Sequence, residues 1–541
     1  MGKRLTDILN KYLQPFFGNL GQINWAFFIL LIGAVNVKLY VKAAVCIGYF
    51  FYLLYKKIPL ERKLYGVSVF YCFMALYSIV SAFMHHSLQR EGYWLGFLYG
   101  IIQWLIPGIL FYLFYVTVIN TKKEVFEKTV SLFFTLNVVV SIVQLASMMI
   151  ASRSMMPYWV FDKADYFGVS TGDHLHGVFG SNSITNAAIC SLGSIFFLYR
   201  HKITKALLCL FVMLLCTSNI TLFFFIFILL VMVFTVKKYP LRNQVVLFLL
   251  STVIIYPVLS PGNLKYMNTV YKKIFLTHEQ SPNFNNQYLN SMDAWSRSEL
   301  RDKHKQINGT VINPNYISEL KVLRQNGTVP LVLHSSVLLD QDSVKKCFYN
   351  MYYLSTSRTP LVHYAKPAKL FSMKQTVNYL SSDWAHCVFG AGMGNFSSKL
   401  AIKMTGLGLQ GTYPEKYVYA DTPFVKFHLF SILYCISQPV ALHSALNMPN
   451  SVYNQIAGEY GMIGIFIFIF LYIGFWWKNR KELGYGKYLI VLLFMFLGIE
   501  YWFEMISFTV IFELLMLMDM HLYNKENGAT TISGDGSDAR I

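Results

Sequence analysis

Three short stretches combine residue types suited to chemistry. FGAGMGNFSSKLA, from Phe389 to Ala401, carries glycines at alternate positions followed by small polar side chains. Gly390, Gly392 and Gly394 permit positive φ or close backbone approach, and the polar run predicts a helix start with Asn395 or Ser397 as N-cap. Such a turn ahead of a helix can hold phosphate through its N–H groups, and it can equally be a structural turn. MPNSVYNQIAGEYGMIG, from Met448 to Gly464, places Asn450, Asn454 and Glu459 where an apolar segment begins. Polar groups at that depth are costly unless they face protein or a wet cavity, and Gly461 and Gly464 allow tight helix packing. HLHGVFGSNS, from His174 to Ser183, reads as a polar re-entry before another apolar run. His174 and His176 would need strand geometry and a third ligand to bind a metal, and no such ligand is at hand. No metal or cofactor is expected.

The elements that must position these stretches are membrane helices. Hydrophobic residues make up 55% of the 541 and charged residues only 13%, too few to cover a soluble surface of that size. The apolar residues come in runs near the length a bilayer crossing needs. Spans are expected at about 64–84, 94–118, 126–150, 183–199, 242–260, 451–477, 487–503 and 505–522. Two further regions predict tight helical pairs, Trp25 to Tyr55 broken at Asn36–Lys38, and Ala206 to Val236 broken at Thr217–Asn219. The total is about twelve. The fold class is an all-α polytopic membrane protein with one large, partly helical outer loop.

The net charge of +19 could indicate nucleic acid, but its placement excludes that partner. Basic residues cluster in alternate gaps, such as Lys56/Lys57/Arg62/Lys63, Arg200/Lys202/Lys205 and Lys478/Arg480/Lys481/Lys487. This positive-inside pattern puts both termini in the cytoplasm. Residues 1–260 then form about nine spans, 261–450 the large outer loop, 451–526 about three more spans, and 527–541 a disordered tail. The loop holds 19 basic and 10 acidic residues, an excess that either solvates a surface or attracts an anion such as a lipid-linked phosphate or pyrophosphate. Lys38 and Lys42, at the first pair's break, are expected to snorkel to the interface. Glu500 and Glu504 need no special role, while Glu513, near mid-span, is the one residue that favours transport.

The glycine stretch, the later Asn450-Ser451 … Gly461 … Gly464 spacing and the late large loop together resemble the O-antigen polymerase and O-antigen ligase superfamily. Its members show a similar glycine turn in the outer loop. A His-Asn, nine residues, Gly, two residues, Gly signature then opens the next helix. Here Asn450 and Ser451 stand where that family has His and Asn, and Ser218-Asn219 stand where it often has Ser-Arg. The resemblance implies a C-type glycosyltransferase-like fold in the bacterial inner membrane, with the large loop periplasmic. The implied donor is a glycan on a polyprenyl pyrophosphate, handled without metal, with a flippase and a chain-length regulator as possible partners. It makes Arg358, Arg297 and Arg301 candidates for the pyrophosphate, since a guanidinium fork matches phosphate oxygens. His443 becomes the candidate general base, with His428 and Arg324 as further replacements, and Asn450 occupies the catalytic motif position. Polymerase is favoured over ligase because the motif His is absent. A lipid-linked sugar transporter and a non-enzymatic membrane protein are the alternatives of other classes.

Overall fold

The computed structural model describes residues 22–36, 38–60, 66–158, 171–180, 182–260, 368–406, 413–429 and 448–532, with a few isolated positions besides. Among these the chain is helical without strands. The helices are α1 Trp25–Asn36, α2 Leu39–Tyr55, α3 Val67–Met84, α4 Tyr93–Asn120 and α5 Lys123–Ser152. They continue as α6 Ser183–Tyr199, α7 Ile203–Leu215, α8 Asn219–Thr235 and α9 Tyr239–Leu259. Next come α10 Ala368–Leu380, α11 Trp384–Phe389 and α12 Lys399–Met404, then α13 Val452–Lys478, α14 Gly486–Leu497 and α15 Ser507–Ile532. Five of them, α3, α4, α5, α9 and α13, are long and apolar enough to cross a membrane. The six shorter apolar helices include both members of the expected pairs.

The core is built on two largely apolar helices that are buried on every side. Every residue from Thr185 to Leu198 in α6 and from Ser507 to Met520 in α15 is buried, as a helix without a polar face requires. The other helices bury one stripe and expose residues such as Ile29, Phe51, Phe83 and Ile254 on the other, the pattern of a bundle whose rim meets lipid.

The two ends of the bundle are chemically sorted. At one end Gly180 lies against the Asn36 amide, Ser507 donates to the Val35 carbonyl at 2.8 Å, and Asn395 donates to Ser87 at 3.1 Å. This end therefore gathers the re-entry, the α1–α2 tip and the motif-bearing loop. At the other, Glu127 pairs with Lys202 at 3.3 Å and with Arg200 at 3.7 Å, and Gly486 donates to Asp519 at 2.7 Å. These are the gaps where the sequence carries its basic clusters.

Three boundaries differ from expectation. The helix after the glycine stretch starts at Lys399 and its N-cap is Ser398, whose hydroxyl accepts from Ala401 at 3.0 Å. The Ser397 hydroxyl is committed to His428 and Tyr501, and Asn395, whose amide nitrogen donates to Ser87 and the Ala391 carbonyl, lies too far ahead of the helix start to cap it. Helix α14 stops at Leu497, because 498–506 turns back to place Glu500 and Glu504 among polar partners. The last helix runs to Ile532, past the expected tail boundary at 526, because each residue added to an existing helix gains a hydrogen bond without a new nucleus.

Lys42 is a correction of another kind. It does not snorkel but is buried, donating to the Ala34 carbonyl in the last turn of α1. A helix end leaves carbonyls unpaired and favours a cation, which Lys42 supplies from the neighbouring helix.

Candidate functional site

The two glycine motifs interlock backbone against backbone. Gly390 has φ +72° and ψ −161°, and Gly461 has φ +59° and ψ −156°, a region open essentially to glycine alone. A Cβ on Gly390 would sit 2.5 Å from the Glu459 carbonyl, and one on Gly461 would sit 2.5 Å from the Val388 oxygen. This approach lets Ala391 donate to Gly458 at 2.9 Å and Gly392 to Glu459 at 2.8 Å. Gly461 thus breaks the helical geometry of α13 where the loop turn docks.

The same docking places the Glu459 side chain, fully buried, against the Gly394 and Phe396 N–H groups and the Ser398 hydroxyl. Neither carboxylate oxygen closes a hydrogen bond of ordinary geometry. The glycine turn that could have held a phosphate therefore faces a carboxylate of the chain itself. Of the two sequence readings, the geometry favours the structural turn.

A polar network lies beside this interlock. His428, in the turn Val425–Leu429, is fully buried. Its Nδ1 bonds the Ser372 hydroxyl at 3.0 Å, and its Nε2 bonds Tyr501 at 2.9 Å and Ser397 at 3.1 Å. Asn454 links Ser372 to Thr376 through contacts of 3.1 Å on each side. Asn450 donates to both Glu500 oxygens, at 3.2 and 3.0 Å, and its carbonyl accepts from Lys369, which also donates to Ile499 at 3.0 Å. Glu504 accepts from Gln455 at 3.0 Å and from the Leu400 N–H at 3.1 Å. Arg90 closes the rim, bonding Asp421 at 2.5 Å and Tyr419 at 2.8 Å.

Within this network His428 and Glu504 have their protonation displaced by burial. Burial, reinforced by the charge of Lys369, pushes the His428 imidazole down to about 3. Burial pushes the Glu504 carboxyl up to about 7, against the opposing pull of Lys399 and of the Leu400 and Lys399 N–H groups. His428 stays neutral in the folded chain while the unfolded chain gains a proton below about pH 6.5. Its stability contribution is therefore lost as pH falls from about 6.5 towards 3. Relative to His428→Gln, the wild type is expected to lose about 1.4 kcal/mol per pH unit in that window. Melting of both proteins from pH 7 to 4 checks this, and parallel curves would refute it.

Of the residues singled out in the sequence, Gly390, Gly392, Gly394, Asn395, Asn450, Ser451 and Gly461 come together here, while the atoms nearest a Cβ on Gly464 are Tyr460 and Ile456 of its own helix. Ser451 caps α13, accepting from the Tyr453 N–H at 3.2 Å. Arg297, Arg301, Arg324, Arg358 and His443 lie outside the described residues. Asn219, at the α7–α8 tip, accepts from Tyr256 and is held apart from the motif stretches in sequence and partner. The re-entry stretch is seated by Gln144 and Asn137, which accept from the Gly177 and Val178 N–H groups at 2.8 and 2.9 Å. Backbone buried at membrane depth must find such partners. Glu513 accepts from Tyr71 at 2.6 Å and Tyr472 at 3.1 Å, pinning α3, α13 and α15 together. Glu500 and Glu504, expected to have no special role, are hubs of the site. Their signal was the aromatic and acidic run IEYWFEM interrupting an apolar segment.

Fold and site define the class as an all-helical protein with long apolar helices that can cross a membrane and a polar, motif-lined site at one end. The chain matches no protein-family model, no curated protein and no solved structure.

Proposed function

We propose that this protein is a membrane glycosyltransferase of the polymerase type, joining polyprenyl-pyrophosphate-linked oligosaccharide repeats at the outer face of the bacterial inner membrane. The observation that supports this reading is the interlock. The two stretches carrying the family resemblance, far apart in sequence, meet at Gly390 and Gly461 and bring buried ionisable groups to one end of the bundle. In the proposed reaction an acceptor hydroxyl oxygen attacks the anomeric carbon of the donor glycan. The bond from that carbon to the pyrophosphate oxygen breaks, and its electron pair leaves on the polyprenyl pyrophosphate. The hydroxyl proton passes to a base. Glu504 suits that role among the described residues, because a base works best when it titrates near the operating pH. Cations near the leaving group stabilise its developing charge, a role for which Arg358, Arg297 and Arg301 remain the loop candidates.

The test is deletion of the gene in its host, with surface polysaccharide resolved on a gel. Loss of the ladder, with single repeats still attached, is the expected result, restored by the wild type but not by Arg358→Ala or Glu504→Gln at equal membrane abundance. Free polymer left on its lipid carrier would replace the polymerase by a ligase. An unchanged ladder would overturn both enzyme readings in favour of transport.

A further inference from the structure

The chain that carries the glycine turn reaches its place by running down alongside α13 and back up along α3. Lys369, at the start of α10, donates to the Asn450 carbonyl just ahead of α13. Thr376 donates to Asn454 in the first turn of α13 at 3.1 Å. Val388 and Gly390, at the end of α11, lie against Gly461, about two turns further along α13. The return follows α3. The Phe389 carbonyl accepts from Tyr77 at 3.2 Å, Gly392 lies beside Ser81 and His85, and Asn395 donates to Ser87 at 3.1 Å.

Both neighbours are helices long and apolar enough to cross a membrane, and each serves as a depth gauge. Helix α3 has 18 residues, a length of about 27 Å, close to the roughly 30 Å thickness of a bilayer's hydrocarbon. Tyr77 lies about two turns before its end at Met84, roughly 10 Å inside. Helical side chains lean towards the N-terminus, which here is the opposite end of α3, so the Phe389 carbonyl bonded to Tyr77 is held no nearer the surface. Helix α13 is longer, with 27 residues and about 40 Å. Even with all of its excess length projecting at this end, Gly461 still falls roughly 3 Å inside the hydrocarbon. The two gauges agree on a shallow position for the tip of α11, about 3 to 10 Å deep.

At that depth α11 has no buried residue. Trp384 is 71% exposed and its ring meets Phe389 edge-on at 6.3 Å, while Ala385, Cys387 and Val388 are half-buried. The exposed side chains of α3 around Tyr77, namely Leu76, Val80 and Phe83, are apolar too, so α11 continues the rim of the bundle. Helix α10 is turned the same way. It buries Lys369, Ser372 and Thr376 against the polar network and exposes Leu370 and Val377, the reverse of a helix that faces water. Lys374 and Asp383, also exposed, limit the descent, because a charged head stays at the hydrated boundary.

We infer that α11, with the exposed edge of α10, is inserted in the bilayer leaflet at the motif-bearing end, where Trp384, Val388 and Phe389 contact phospholipid acyl chains. The stretch from α10 to Asn395 is then a shallow re-entrant segment, and the Gly390–Gly461 interlock closes below the membrane surface rather than above it. This placement is independent of the proposed reaction and holds equally for a transporter.

The test places one full-length protein in each phosphatidylcholine nanodisc, so that no second copy can cover α11. The emission of Trp384 is read as the difference between the wild type and Trp384→Phe. Host lipid brominated high in its acyl chains is expected to quench that difference, lipid brominated near the chain ends to quench it less, and aqueous acrylamide to leave it intact. Phe389→Trp, a second reporter on the same helix, is expected to follow the same pattern, which keeps the test decisive where Trp384→Phe alters the melting temperature. Quenching by acrylamide with none by either brominated lipid overturns the inference, because α11 would then face water. Protection from all three quenchers also overturns it, because the chain itself would then cover the helix.

Discussion

Gly461→Ala is expected to destabilise the protein by about 3 kcal/mol or more. Two costs add. The backbone at 461, with φ +59° and ψ −156°, excludes a side chain. The new Cβ would also meet the Val388 carbonyl oxygen at 2.5 Å and the Gly390 nitrogen at 2.6 Å. Both obstacles are backbone atoms held by the Ala391 and Gly392 hydrogen bonds, so no rotamer change relieves them. Gly48→Ala is the matched control, because a Cβ there meets nothing within 4 Å and alanine favours a helix. Thermal unfolding in detergent compares the two. If Gly461→Ala melts with the control, the interlock does not hold the loop to the bundle.

Glu504→Gln is the second large effect, expected to slow polymerisation by roughly a hundredfold to ten-thousandfold, the range contributed by a positioned general base. The amide keeps an oxygen to accept from the Leu400 N–H, so the fold is expected to survive with little change in melting temperature. The pH dependence has a definite sign. A carboxyl held at about 7 is ionised and able to accept a proton only above that value. Wild-type turnover is therefore expected to rise with pH through about 7 and level off. An in vitro assay with lipid-linked repeats, run from pH 5.5 to 8.5, reads both effects. Full activity in Glu504→Gln with the rise through 7 intact would remove Glu504 from the reaction and return the proton transfer to the long loop and His443.

Much of the fold was legible in the sequence, and the reasons are local. The breaks at Asn36–Lys38 and Thr217–Asn219 interrupt apolar runs too short to be read as one crossing, and the structure has a helix on each side of both. The glycines of the Phe389–Ala401 stretch announced an unusual backbone, since their alternation has no role in a regular helix. Their partner was not announced. Nothing in the neighbourhood of Gly390 specifies that the facing surface is the Gly461 break, or that Glu459 rather than a phosphate faces the turn's N–H groups. The Ser398 cap was misplaced by one to three residues for a related reason. Several adjacent polar side chains can each cap a helix, and which one does so depends on what the others bond. Asn395 is drawn to Ser87 and Ser397 to His428 and Tyr501, all contacts across the fold.

The sequence by itself determined the properties that accumulate along the chain. These are the apolar runs, the alternation of basic gaps that sorts the bundle into two chemically different ends, and the glycines that mark strained turns. Each depends only on a residue and its near neighbours, because hydrophobic length, charge placement and φ preference are local quantities. Tertiary structure alone decided which buried charge meets which partner. Glu504 joins Gln455 and Leu400, Glu500 joins Asn450, Glu513 joins Tyr71 and Tyr472, and Lys42 joins α1. These pairings span up to 442 positions in the chain. Their energies rest on burial that exists only after the helices have packed, so the residues that look idle in the sequence become the site's most constrained groups.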